Sequence, residues 1–262
     1  MARIMKATFI TLQLALFLLA SAVVFSADIQ SQVGRAISAK NSKAIVTIEL
    51  VLEENASYGG QSEKRETKMS ATGTVIDPSG LVVTALSQID PMSLMPDTSG
   101  EDFKLTINVT DALIRQDDGT EIPVDVVVRD RDLNLAFLKP KTPVTTKLPY
   151  VNLAIASNPL QLDRVLTIYR LGQVAGRSIA CGFDDVMGVV VKPRKFFVIS
   201  NPYAQGGPAF TMDGKCVGIV VRKSSVKSAA RTGGMQETLM VVMPSDTVMR
   251  AAEQAKKPKN NK

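Results

Sequence analysis

The stretch Ala71-Thr-Gly73-Thr-Val-Ile-Asp-Pro-Ser-Gly80-Leu-Val-Val-Thr84-Ala-Leu-Ser87-Gln-Ile89 sets two short β-branched runs on either side of Asp77-Pro-Ser-Gly80. β-branched side chains favour extended backbone and Asp-Pro-Ser-Gly is turn chemistry, so the stretch predicts a pair of antiparallel strands. The pattern continues outward in both directions. Ile45 to Leu50, Lys104 to Ile107, Val124 to Val128 and Leu135 to Leu138 are similar runs, with a further turn signal at Asp117-Asp-Gly-Thr120. Together they predict a small antiparallel barrel over residues 33–140, opened by a short helix from Val33 to Lys43.

A Pro- and Thr-rich connector over 141–150 leads into a second series: Val165 to Tyr169, Gly188 to Val191, Phe196 to Ile199, Val217 to Val221 and Leu239 to Val242. This second β unit spans 151–256 and closes on a helix, with Ser245 as its N-cap and Asp246 suited to the positive end of the helix dipole. Asp90 to Asp102 and Lys223 to Glu237 read as surface loops. The Lys-rich residues 257–262 read as a solvated tail.

The 262-residue chain contains no histidine, the side chain that ordinarily shuttles protons near neutrality. Its net charge of +6 is matched by the six cations Arg3, Lys6, Lys256, Lys257, Lys259 and Lys262 at its two ends, which leaves the body near neutral. With no tryptophan and only 5 % aromatics, a nucleic-acid-binding surface is not expected. Residues 1–27 have a basic start, an apolar stretch from Ala7 to Phe25 and small residues at Ala20 to Ala22 and Ser26 to Ala27. That is the layout of a secretory signal, with an uncleaved membrane anchor as the other reading. Either places the protein outside the cytoplasm, secreted or in a periplasm or cell envelope. Any membrane contact would run through this segment if it is retained. In such an oxidising compartment Cys181 and Cys216 could form a disulfide, with two free thiols as the alternative. No ligand spacing for a metal is present and no cofactor is expected. The acidic pairs Asp117-Asp118 and Asp184-Asp185 read as solvated turns.

Three segments resemble the trypsin-like serine proteases, particularly their HtrA/Deg branch: residues 71–89, the run Asp130-Arg-Asp132-Leu-Asn134-Leu-Ala-Phe-Leu-Lys139, and Asn201-Pro-Tyr-Ala-Gln205-Gly-Gly-Pro208 with its continuation to Ile219. Met243-Pro-Ser-Asp-Thr-Val248 is similar to the close of that family's protease domain. The resemblance covers about residues 33 to 256 and implies two consecutive six-stranded antiparallel barrels, an all-β fold with short terminal helices. It leaves no room for the PDZ domain that many members carry. It also assigns Ser87 to the family's histidine position, Asn134 to its aspartate and Gln205 to its serine nucleophile. Tyr203, Ala204, Gln205, Gly206 and Gly207 then form the former oxyanion loop, with Tyr203 where the family places a glycine.

An amide at the nucleophile position cannot attack a carbonyl, and a hydroxyl cannot serve as the base. The resemblance therefore implies an exported, catalytically inactive protease homologue that binds a protein or peptide partner. Two other readings stand beside it. One is a hydrolase working through Cys216 or through the Ser-x-x-Lys pair Ser224 and Lys227; the other is an anchored structural protein of the envelope.

Overall fold

The computed structural model describes residues 29–59, 61–91, 103–224 and 238–256. The predicted signal, most of the two predicted loops and the tail lie outside the described residues. Residues 29–41 form a helix (α1) with its apolar positions Ile29, Val33 and Ile37 four apart, which places Val33 and Ile37 against the core. At Gly34 any side chain would meet the Phe183 ring, 2.7 Å from where a Cβ would stand, so the glycine lets α1 lie flat on the strand beneath.

The first unit is a closed barrel of six strands: β1 (Ile45–Tyr58), β2 (Gln61–Val75), β3 (Val82–Ala85), β4 (Phe103–Arg115), β5 (Glu121–Asp130) and β6 (Leu135–Pro140). They close in the order β1-β2-β3-β6-β5-β4. The Asp77 to Gly80 turn joins β2 to β3 as the sequence predicts, with Gly80 N–H donating to Asp77 O at 3.0 Å.

The second unit holds β7 (Arg164–Arg170), β8 (Ile179–Asp185), β9 (Gly188–Val190), β10 (Phe196–Ile199), β11 (Pro208–Thr211), β12 (Cys216–Ser224) and β13 (Thr238–Pro244). They make one sheet in the order β8-β7-β11-β12-β13-β10-β9. The double-barrel architecture holds, but this unit has seven strands and β8 and β9 are its open edges rather than neighbours in a ring.

The gap is bridged by a side chain. Asp184 of β8 is buried and its carboxylate accepts from Ser200 N–H, Ser200 Oγ and Asn201 N–H at 2.8–3.0 Å just beyond β10. The expectation of a solvated turn at Asp184-Asp185 is thus corrected: both lie in a strand, and the buried carboxylate is satisfied by donors it holds in place. Asp117-Asp118 is a turn, with Asp118 accepting from Thr120 N–H and Asp117 pairing with Arg170 at 2.9 Å.

Alternation along the strands sorts side chains into three cores. Val82, Ala136 and Leu138 fill the first barrel, Val165, Val220 and Val242 fill the second, and Val83, Leu135, Phe137, Ile168, Ile219 and Met243 pack between units and helices. Strands buried on both faces read as continuous apolar runs, as Leu135 to Leu138 does. Polar contacts register one unit on the other. Arg170 Nε donates to Ile45 O at 2.9 Å, Arg170 N–H donates to Thr72 Oγ1 at 3.1 Å, and Thr74 Oγ1 donates to Gly206 O at 2.8 Å.

Helix α2 (Leu86–Ile89) follows β3 directly, and α3 (Ser245–Lys256) is the last described element. Ser245 opens α3 but does not cap it. It is buried, and its hydroxyl donates to Cys216 O at 3.1 Å, tying the helix to β12. No helix among the described residues is long and apolar enough to cross a membrane.

The disulfide is the second correction. Cys181 and Cys216 are free, because β7 and β11 stand between β8 and β12. Three inter-strand spacings amount to about 14 Å, whereas a disulfide needs Cα atoms within about 7 Å. The exposed Cys181 is expected to react with a thiol reagent at pH 8 in the native protein, while burial pushes the Cys216 thiol up to about 11. Titration should therefore count one thiol before denaturation and two after; two in the native state would contradict this packing.

Candidate functional site

The site forms where both units meet. Asn134 ends the turn between β5 and β6 in the left-handed region (φ 53), a conformation Asn tolerates better than most residues. Its backbone carbonyl accepts from Leu86 N–H at 3.0 Å, seating α2 against the turn. Its side chain then uses every polar atom. Oδ1 accepts from Ser87 N–H at 2.8 Å, and Nδ2 donates to Ser87 Oγ at 3.1 Å and to Arg222 O on β12 at 2.6 Å. With Ser87 Oγ accepting from Asn134, its own hydrogen points to Gln205 Oε1 at 3.5 Å, and Gln205 Nε2 donates to Pro202 O at 3.3 Å.

The three positions assigned from the sequence are thus joined in one directional chain, Asn134 to Ser87 to Gln205. Ser87 is 8 % exposed and Asn134 3 %, so their amide and hydroxyl groups are held away from competing water. The chain is amide, hydroxyl, amide. None of its members gains or loses a proton near neutral pH, so it fixes geometry without carrying charge.

The trypsin-like peptidase domain family matches the chain over residues 71–219, more than half its length and all three positions. The chain belongs to this family. Among solved structures it is similar to the protease domain of MamO from Magnetospirillum magneticum in its apo form. That likeness has a TM-score of 0.51 at 14 % identity and covers 80 % of this chain and 96 % of the other, so what the two share is the fold. No curated protein matches the sequence.

In this trypsin-like peptidase domain the segment leading to Gln205 is a 3-10 turn, Pro202–Ala204, capped by Asn201, whose Oδ1 accepts from Tyr203 N–H at 3.0 Å. Asn201 Nδ2 donates to Thr167 Oγ1 at 3.0 Å, and Asp184 holds the preceding backbone. Tyr203 N–H, at the position where the family resemblance places an oxyanion donor, is thereby engaged inside the loop, and its ring is left exposed. Gly206 N–H donates to Val220 O at 2.8 Å and Gly207 N–H to Ala204 O at 2.9 Å. Asp184 and Asn201 were missed as determinants of this loop. Asp184 lies in no motif and Asn201, though it opens the third segment, was given no role there, because both roles depend on strands β8 and β10 being brought together.

The alternative nucleophiles do not find the surroundings they need. Ser224 ends β12 opposite Thr238 and so is in extended backbone, not at the helix start that a Ser-x-x-Lys site uses, and Lys227 lies outside the described residues. Cys216 is buried, with Gly218 O 3.9 Å from its sulfur, and burial moves the thiol away from its reactive form. Among the described residues no group of three His, Cys, Asp or Glu is placed to hold a metal ion.

The charge pattern predicts an unusual pH profile. The Arg115 hydrogen bond holds Glu49 below its ordinary 4.5, and Lys215, helped by Thr211, brings Asp213 from 3.8 to about 2. A carboxylate depressed in the folded state stabilises above its unfolded value, and that stability is lost as pH falls through the folded value. With no histidine in the chain, stability should be flat between about pH 5.5 and 8 and decline from just above 4.5 toward 2. Denaturant midpoints across this range check it; a step near pH 6.5 would contradict it.

Proposed function

We propose that this is an exported trypsin-like peptidase homologue that no longer hydrolyses peptide bonds and acts by binding a protein or peptide partner. The observation that carries the reading is the neutral chain Asn134–Ser87–Gln205, with no proton acceptor and no nucleophile where the family's fold gathers them. The engagement of Tyr203 N–H by Asn201 supports it, since an oxyanion donor must be free to point at the substrate.

The edge of β12 supports a peptide as the partner. β11 pairs with β12 only as far as Ile219, whereas β13 follows β12 to Ser224. Beyond the Val220 contacts, the side of β12 facing Gln205 carries no strand among the described residues, and an extended segment could pair there with the backbone groups that remain once Arg222 O has accepted from Asn134.

Purified protein is expected to leave casein intact and to resist a fluorophosphonate probe. Labelling or cleavage that disappears in Gln205→Ala or Ser224→Ala would sink the reading. For the binding half, peptide-array capture should weaken in Gln205→Arg and Tyr203→Ala and persist in Val174→Arg. Equal capture by all three would move the binding site elsewhere.

A further inference from the structure

The tight turn Leu160-Gln-Leu162-Asp163 is closed by Asp163 N–H donating to Leu160 O at 3.2 Å and by Asp163 Oδ2 accepting from Leu160 N–H at 2.7 Å. Its third residue is left-handed, a position that suits glycine or asparagine, yet it is Leu162 at φ 72. The side chain held in this unfavourable conformation is also 79 % exposed, and Leu160 is 72 % exposed. A leucine there costs the fold twice, in backbone strain and in wetted apolar surface, with no compensating burial among the described residues.

The turn does not yield to relieve that strain, because it is laced to the adjoining hairpin. Leu162 N–H donates to Val186 O at 2.8 Å, Gln161 Nε2 to Met187 O at 3.0 Å, and Lys195 Nζ to Asn158 Oδ1 at 2.9 Å. That hairpin adds Met187 and Val191 to the exposed apolar residues, and its tip carries the exposed Lys192, with Lys195 nearby and Arg194 paired with Asp132 at 3.1 Å. Leucines with basic residues beside them have the composition of a surface that lies on anionic lipid.

The position of the turn in the fold identifies the surface it would meet. Arg164, two residues after Leu162, donates through Nη1 to Gln30 Oε1 at 3.0 Å, so the start of α1 lies beside the turn. Only Ser26, Ala27 and Asp28 separate α1 from the apolar stretch Ala7 to Phe25. We propose that the apolar stretch 7–25 is retained as the anchor that the second reading of residues 1–27 allows, and that the Leu160–Asp163 turn and its hairpin rest on the same bilayer surface, with Leu160, Leu162 and Met187 at the acyl boundary and Lys192 and Lys195 among anionic headgroups.

The chain has no tryptophan, so one introduced indole reports its own depth. Full-length Leu162→Trp and Val174→Trp are made by cell-free synthesis into phosphatidylglycerol–phosphatidylcholine vesicles brominated along the acyl chains. Val174 is fully exposed in the turn after the far end of β7, which makes it the distant control. Bromine is expected to quench the indole at position 162 several-fold more than that at 174. Met187→Trp, on the hairpin, reads the same surface should Leu162→Trp fail to fold. Quenching at 162 and 187 no greater than at 174, or protection that appears only when a protein partner is added, would overturn the proposal. Neither result bears on the hydrolysis reading, because none of these residues touches Ser87, Asn134 or Gln205.

Discussion

Gly206→Ala is expected to cost about 4 kcal/mol or more, a large share of the roughly 5–15 kcal/mol that holds an ordinary domain folded. Gly206 sits at φ +79, and a Cβ there would overlap the Thr72 carbonyl oxygen and stand 2.7 Å from Thr84 Oγ1. Neither neighbour can withdraw. Thr84 Oγ1 donates to Thr72 O at 2.7 Å, fixing β3 to β2, while Gly206 N–H and C=O are held by Val220 O and Thr74 Oγ1. The glycine is thus the point where the loop of the second unit presses on the first. Gly119→Ala supplies the comparison: its φ is +85 but nothing lies within 4 Å of a Cβ, so it should cost only about 1 kcal/mol. Urea midpoints of the two variants test the difference, and similar losses would mean that the close approach at Gly206 does not constrain the fold.

Asn134→Asp is expected to cost about 3 kcal/mol at neutral pH, although it changes one atom. Asn134 Nδ2 donates to Arg222 O at 2.6 Å, and a carboxylate would face that carbonyl with a second acceptor while burying a charge. No imidazolium stands beside it, since position 87 is serine. The burial raises the introduced acid's pKa in the folded state, so the penalty should be full above that raised value and shrink as pH falls toward about 4, where the protonated acid can donate to Arg222 O. Stability curves at pH 7 and pH 4 measure this. A loss independent of pH would point to backbone strain at φ 53 instead.

These two positions show how unevenly the molecule can be read. The three members of the neutral chain were singled out from residues 71–89, 130–139 and 201–219 by the resemblance of those segments to the trypsin-like serine proteases. The loop that carries Gln205 was placed by the same resemblance, but what holds it was not legible. The carboxylate that anchors it, Asp184, comes from a strand with no local mark of that role, and Asn201 occupies the Tyr203 donor only because the turn winds into a 3-10 geometry. The same distinction defeated the disulfide: two cysteines 35 positions apart in the chain are separated by two strands in the sheet. Seven strands rather than six in the second unit is likewise a matter of pairing, which depends on partners far along the chain.

The sequence by itself determined the strand-rich architecture, the connector between its two halves, and the identity of the residues at the three family positions. The first two follow from periodicity and turn chemistry, which act over a few residues, and the third from the resemblance of three short segments to the family. Tertiary structure alone decided that an absent charge relay is replaced by a satisfied hydrogen-bond chain, that the loop behind it keeps its donors to itself, and that two leucines are presented beside the start of α1. The first and last of these depend on groups more than a hundred positions apart meeting, as Ser87 and Gln205 do across the two units and Gln30 and Arg164 do beside the turn, while the loop depends on strands β8, β10 and β12 being brought around it.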